Sequence, residues 1–335
     1  MSRLAVIGCG AIAEGFHLPA VLDVLGDPGA VTLVDPDLDR ARALGAGAGI
    51  TDVASSHADV LDRVDGAIIA SPHPTHVPIA LDLVDAGVGV LCEKPLGTSV
   101  EEVRRLEEAA AARGVVVAVN QTRRFIPAVR EIARTLESID HRGGLEVEVR
   151  EGDQFDWPAA TPAMFGARSG GRGLLLDIGA HVLDLMVHWF GPDLEVTSYR
   201  DDSFGGSEAS AEVELEGDGL EILIRLSWLA KQRNDYLFRS SAGVLRWGVY
   251  DLDAVEWMPS GGGTQTRRVP APRSYNDLAP EVLKDFLEAL NSGGRAAVGP
   301  SDVLPSMRLM DACYDQRTRF ELPWHDFRME GGKSG

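Results

Sequence analysis

Basic residues are scarce in this chain: 32 Lys and Arg face 51 Asp and Glu over 335 residues, a net charge of −19 with His neutral. Such a surface repels phosphate backbones and anionic headgroups, and no basic patch interrupts it, which argues against nucleic acid and membrane as partners. Cysteine is scarce as well. Cys9, Cys92 and Cys313 form no Cys-x-x-Cys pair, and three cannot all pair within one chain, so they read as reduced thiols of a cytoplasmic protein. No apolar run approaches the roughly 18 residues of a membrane span. The stretch from Arg3 to Ala13 has the outline of a signal peptide, but reads better as a strand and loop. There is no repeat array and no low-complexity block. A composition of 44% hydrophobic and 25% charged residues excludes disorder. At roughly 150 residues per domain, the length suits about two domains.

What is present changes texture along the chain. Leu4–Ile7, Val31–Val34, Ala67–Ala70, Val88–Leu91 and Val115–Val119 are short, fully apolar runs, separated by helical patterns such as Pro78–Ala86 and Val100–Arg113. Buried strands alternating with amphipathic helices predict a doubly wound parallel sheet over residues 1–121. From residue 122 onward, Leu145–Arg150, Ala211–Glu216 and Glu221–Leu226 alternate with period two and predict half-buried, antiparallel strands. Helices follow at Glu281–Leu290 and Ser301–Arg319, and the tail Glu330–Gly335 reads as frayed. Residues 122–335 therefore form a second domain.

After the first strand, Gly8-Cys9-Gly10-Ala11-Ile12-Ala13 fits G-x-G-x-x-A. Gly8 permits the turn, Gly10 leaves room for a pyrophosphate, Ala13 allows close packing of helix on strand, and the helix N-terminus faces the phosphates. Asp35, closing the next strand, suits the ribose hydroxyls of NAD and repels a 2′-phosphate; Arg40 and Arg42 nearby leave NADP as the alternative. The competing view is a tight glycine turn in an unrelated α/β protein.

Two further features carry chemistry. Glu93-Lys94-Pro95 follows a strand, at the carboxyl edge where ligands bind; it reads equally as a surface ion pair before a turn. In Asp177–His188, the polar residues Asp177, His181, Asp184 and His188 fall at spacings of four, three and four, a stripe within an arc of roughly 60° on an otherwise apolar helix. Asp177 and His181 are one turn apart, and a carboxylate beside an imidazole would raise its basicity for general acid–base work. A metal site and plain solvent exposure are the competing views of the stripe, and exposure or capping suits His188.

Taken together, these segments, with Ser71-Pro72-His73-Pro74-Thr75-His76 and Arg123-Arg124-Phe125-Ile126-Pro127, resemble the Gfo/Idh/MocA family of NAD(P)-dependent oxidoreductases acting on sugars and cyclitols. The resemblance implies a Rossmann domain followed by an α/β domain with a large, mostly antiparallel open sheet. The outer face of that sheet would build a homodimer or homotetramer. It implies that Lys94, Asp177 and His181 form the catalytic group, and that Ser71, Pro72, His76, Glu93 and Lys94 line the cofactor cleft, together with Gly8, Gly10, Ala11, Ile12, Asp35 and Gln121. The Lys94–Pro95 bond is often cis in such proteins. Two departures stand out: Arg172 interrupts the glycine run before the helix, and Thr122 stands where Asn is frequent.

The expected reaction is reversible hydride transfer between the nicotinamide and a secondary alcohol or ketone of a sugar, sugar derivative or cyclitol. His181 is the expected base, Asp177 its orienting group or the holder of an adjacent substrate hydroxyl, and Lys94 the stabiliser of charge on the substrate oxygen or the proton carrier itself. Arg124, Asp153, Arg172, Asp184, Tyr236 and Tyr275 are candidates for substrate recognition. No metal is expected. The rival functions are glycoside cleavage by NAD-dependent oxidation and elimination without net redox change, a non-catalytic NAD-sensing regulator, and metal binding by the helix stripe.

Overall fold

The computed structural model describes residues 2–138, 144–153, 172–203 and 206–321. The tail expected to fray lies outside these residues. The first sheet contains β1 (Leu4–Ile7), β2 (Val31–Val34), β3 (Val53–Ala54), β4 (Gly66–Ile69), β5 (Gly89–Glu93) and β6 (Val117–Asn120). All six strands are parallel, in the order β3-β2-β1-β4-β5-β6. This is the doubly wound dinucleotide order, and its direction reverses between β1 and β4, where a crevice opens beyond the strand ends. Every residue of β1, β2, β4, β5 and β6 is buried, because helices cover both faces. Those helices include α1 (Leu18–Leu25), α2 (Leu38–Ala48), α3 (His76–Asp85) and α4 (Val100–Arg113). Ser99 caps α4 by accepting from the Glu102 amide, and Gly114 ends it in the left-handed conformation.

After α5 (Pro127–Ser138), the chain builds β7 (Leu145–Gly152), α6 (Ala180–Phe190), β8 (Glu195–Asp201), β9 (Ser210–Gly217), β10 (Leu220–Ser227), β11 (Asp235–Ser240), β12 (Gly243–Gly248), β13 (Ala254–Pro259) and β14 (Gln265–Arg268). It ends, among the described residues, with α7 (Ala279–Ser292), α8 (Pro300–Asp315) and β15 (Thr318–Arg319). The second sheet has nine strands in the order β14-β13-β12-β11-β7-β10-β9-β8-β15. It is mostly antiparallel, but β7 and β10, expected to be antiparallel partners of their neighbours, pair parallel because β7 is inserted between β10 and β11. One face is apolar and takes Trp189 of α6 edge-on against Tyr236, Phe238 and Trp247. The other carries a lattice of cross-strand ion pairs, with Glu148 meeting Arg225 and Arg239, and Glu212 meeting Arg225.

The two sheets separate along the chain, but the layers interleave. Helix α7, from the far end of the sequence, lies on the first sheet so closely that a β-carbon on Gly89 would stand 2.5 Å from Leu290 Cδ1. A side chain at that strand start would have to push Leu290 aside, so glycine lets the helix lie close to the strand. The amide of Val119 in β6 donates to Val298 just before α8. Two points thus tie the first sheet to the second half of the chain: the start of β5 under α7 and the end of β6 against Val298.

Candidate active site

The loop after β1 behaves as its glycines require. Gly8 has φ +96°, and a β-carbon there would lie 2.6 Å from the Ala70 carbonyl oxygen, so both conformation and space exclude a side chain. At Gly10 a β-carbon would meet no protein atom within 4 Å, so packing does not demand glycine there; the open space is a cradle on the loop surface. Ala11 and Ile12 open the helix, Glu14 donates the first helical bond to Gly10, and Ala13 is fully buried against the sheet. Asp35 at the tip of β2 is buried and accepts from the amides of Cys9 and Asp37, each at 2.9 Å, while Arg40 stands 3.9 Å away. Arg42 pairs instead with Asp39.

The tip of β5 gathers the rest. Glu93 is buried, with Oε1 2.7 Å from His17 Nε2 and accepting from Asn120 Nδ2 at 2.6 Å. Burial alone would raise its carboxyl; the bonds from His17 and Asn120 and the Lys94 charge reverse that and hold it below the usual range. Lys94, next in sequence and joined to Pro95 by a cis peptide bond, reaches across the cleft. Its Nζ donates to Asp177 Oδ1 at 2.6 Å and to the Asp177 carbonyl at 3.1 Å. Burial pushes the Asp177 carboxyl up, but Lys94 first, then His73 and Arg123, bring it below its ordinary value.

Here the geometry departs from the expected stripe. Residues Leu175–Gly179 form a π-helical turn leading into α6, an irregularity that often marks functional sites. Asp177 turns to Lys94, and the hydrogen bonds place no contact between it and His181, whose Nδ1 is buried without a partner among the described residues. Burial, then the charges of Lys94 and Arg123, drive the His181 imidazole well below its ordinary pKa. The expectation that Asp177 raises its basicity is therefore reversed. Further along, Asp184 is buried and takes Arg124 in a two-point pair at 2.8 and 2.7 Å. His188 is exposed, as its position at the helix end suggested. The stripe is thus divided among separate partners.

Several recognition candidates also have structural partners. Arg124 is occupied by Asp184 and the Asp302 carbonyl. Arg172 bonds the Thr98 carbonyl and Asp311 and stacks on Tyr314. Tyr236 is fully buried, its hydroxyl bonded to Glu151 and Arg123. His76 is fully buried too, with its ring nitrogens 2.8 Å from the carbonyls of Pro95 and Ser71, so it braces two strand tips from behind. Ser71 and Pro72 remain at the crevice, with Ser71 Oγ 2.6 Å from Thr75 Oγ1. Gln121 follows β6, its Oε1 buried without a hydrogen-bond partner among the described residues. Asp153 is exposed past the end of β7, and Tyr275 is partly exposed beside Phe16.

Sequence reasoning missed His17, His73, Arg123, Glu151 and Glu208. Arg123 and Glu151 form a buried two-point pair at 2.6 and 2.8 Å, and the Arg123 charge acts on both Asp177 and His181. His73 is lowered to about 4 by burial and then by Lys94 and His76. Glu208 is fully buried and accepts from the amides of Gly173 and Leu175, fixing the start of the helix that carries Asp177. His73 and Arg123 lay inside segments already singled out. Glu151 had its own signal: a carboxylate at an inward position of an alternating strand.

Comparison with known proteins agrees with this layout. An oxidoreductase family with an NAD-binding Rossmann fold matches residues 2–121. The chain is 25% identical over 331 residues to a D-apiose dehydrogenase of Paraburkholderia graminis, covering 92% of this chain and 86% of that one. It is 36% identical over 139 residues to an inositol 2-dehydrogenase of Saccharopolyspora erythraea, covering 41% and 40%. A 3-ketoreductase from Actinomadura kijaniata, solved with NADP and TDP-benzene, shares the fold with a TM-score of 0.82 at 23% identity over 96% of this chain and 99% of that one.

The Arg124–Asp184 pair yields a test. Asp184→Ala leaves a guanidinium buried without its partner, and urea unfolding should show a loss of about 3–5 kcal/mol. A loss under about 1 kcal/mol would return both residues to the list of free substrate ligands.

Proposed function

We propose, from the match of residues 2–121 to the Gfo/Idh/MocA oxidoreductase family with its NAD-binding Rossmann fold, that the chain moves a hydride between a nicotinamide cofactor and a secondary alcohol or ketone of a sugar, sugar derivative or cyclitol. The observation that carries this is the Lys94–Asp177 contact at 2.6 Å, a fixed cation at the carboxyl edge of the Rossmann sheet.

The residues present fit a dinucleotide. The Gly10 cradle and the helix start at Ala11 and Ile12 would hold the pyrophosphate, and Asp35 the adenosine ribose. The carboxylate favours NAD, and Arg40 beside it keeps NADP as the alternative. When bound, the nicotinamide gives or takes the hydride. The protein's own groups manage the proton and the charge. His181 is neutral in its buried setting and takes the hydroxyl proton of the alcohol. Lys94, oriented by Asp177, donates to the same oxygen as negative charge develops there, a preorganised donor of the kind that stabilises oxyanions. Arg123 adds positive potential, and its own charge is neutralised by Glu151. In ketone reduction the same groups act in reverse.

The partner is thus a small polyol or sugar. Among the described residues no helix is long and apolar enough to cross a membrane. The buried free thiols Cys9, Cys92 and Cys313 support a reducing, cytoplasmic setting. A homodimer or homotetramer built on the outer face of the second sheet is what the family resemblance implies.

NAD reduction should be measured over sugars, inositols and nucleotide-linked sugars, with NADP in parallel. Lys94→Ala should lower kcat on the best substrate by about 10²–10³-fold while NAD affinity changes little. Turnover at the wild-type rate in that variant would remove Lys94 from the chemistry. The pH profile is a second check. Because the His181 imidazole is held well below its ordinary 6.5, and Asp177 below its ordinary 3.8, neither becomes protonated as the pH falls through 6.5. The rate of alcohol oxidation should show no acid limb near 6.5; a limb there that vanishes in His181→Ala would mean an imidazole of ordinary pKa and contradict the lowering by burial, Lys94 and Arg123.

A further inference from the structure

A cleft of about 640 Å³ opens beside the candidate active site, lined by residues 249–253 and 269–275. Its size falls in the range of about 300–1,000 Å³ typical of small-molecule sites. The large hydrophobic side chains exposed among the described residues are Leu229, Tyr250 and Tyr275, and both tyrosines line this one cleft, exposed by 73% and 38%. Two exposed aromatic rings on one cleft offer faces on which another ring can stack.

The cleft neighbours the candidate site: the charge of Arg123 acts on Tyr250 and Tyr275 as well as on Asp177 and His181. Tyr275 packs its ring 6.2 Å from that of Phe16, on the helix that follows the Gly8–Gly10 loop, and neighbouring Asn276 donates to the Gly15 carbonyl. At the other end, Arg123 bonds Tyr236, whose cross-strand partner is Trp247, and the chain runs from Trp247 into Tyr250 within three residues. The charges of Arg123 and Glu151 act on both phenols. None of Lys94, Asp177 or His181 lines the cleft, so it would take a group that extends from the reacting carbon and not that carbon itself.

The ionic groups of the lining define the extension. They are Asp251, Asp253 and Arg273, and Asp253 is paired with Arg268 at 2.6 Å. Asp153 adds a further carboxylate toward Tyr250. A diphosphate would meet more carboxylates than free cations here, whereas the C–H face of a neutral sugar ring stacks on tyrosine and its hydroxyls can bond carboxylates and guanidinium alike.

We propose that Tyr250 and Tyr275 form a subsite for a second, uncharged ring, so that the substrate is a glycoside carrying another sugar or aryl ring beyond the one oxidised. This rests on the hydride-transfer reading for the position of the first ring. Tyr250 is the specificity determinant, and no step of the chemistry passes through it.

The test uses the full-length protein with NADH bound. A methyl glycoside, the matching phenyl glycoside and disaccharide, and a nucleotide-linked form of the same sugar are titrated calorimetrically into wild type, Tyr250→Ala and Tyr250→Phe, and NAD reduction is followed separately. The ring-bearing glycosides should bind wild type about 5–10-fold tighter than the methyl glycoside, an advantage that falls to near one in Tyr250→Ala and returns in Tyr250→Phe. An equal advantage in wild type and Tyr250→Ala overturns the subsite, as does preference for the nucleotide-linked sugar. If the advantage follows Tyr250 while no glycoside reduces NAD, the subsite stands and the hydride-transfer reading falls; if NAD is reduced but the advantage is absent, the reverse holds.

Discussion

The contact between the Lys94 ammonium and the Asp177 carboxylate is the joint of this molecule. It spans 83 residues of sequence and two sheets, and it is largely withdrawn from water, with side chains exposed by 13% and 25%. A charge held that way is costly unless its partner is fixed, so both sides are braced. On one side, Glu93 is locked by His17 and Asn120, and its Oε2 accepts from the Lys94 amide at 3.2 Å. On the other, Glu208 holds the amides at the start of the helix, and Arg317 and Tyr314 hold Glu208. Both braces involve a π-helical turn: Ala13–His17 presents His17 to Glu93, and Leu175–Gly179 presents Asp177 to Lys94.

This joint explains the local electrostatics of a very acidic protein. The net charge of −19 repels anions at long range, yet the cleft wall carries Lys94 and Arg123, each matched by a carboxylate, Asp177 half-buried and Glu151 buried. The pairs cancel at a distance, while at close range their positive ends act on His181 and suppress its protonation. A neutral imidazole beside a fixed ammonium suits a reaction in which an alcohol loses both a hydride and a proton: one group receives, the other stabilises.

Much of the first sheet was legible because its information is local. Leu4–Ile7 and Val31–Val34 are apolar runs with turn residues after them, and the structure keeps those boundaries. Strand β3 escaped because two residues carry no period. In the second sheet, alternation marked β7, β9 and β10 but not their order, since the parallel β7–β10 pairing depends on where β7 is inserted. Gly8, Gly10, Asp35, Lys94 and Asp177 were readable from motif and spacing. The partner of Asp177 was not: an ideal helix puts His181 on the same face, and the π turn that changes the geometry has no sequence signal here. Asp184 and Arg172 looked like open ligands because their partners, Arg124 and Asp311, are distant in sequence.

The central claim is that Lys94 and Asp177 act as one unit joining the two halves of the cleft. A double-mutant cycle on kcat/KM, with Lys94→Ala, Asp177→Ala and the pair, tests it most directly. The account predicts strong non-additivity, with the double variant about as slow as the worse single one. Losses that simply multiply would mean two residues working independently, and the contradiction would be complete.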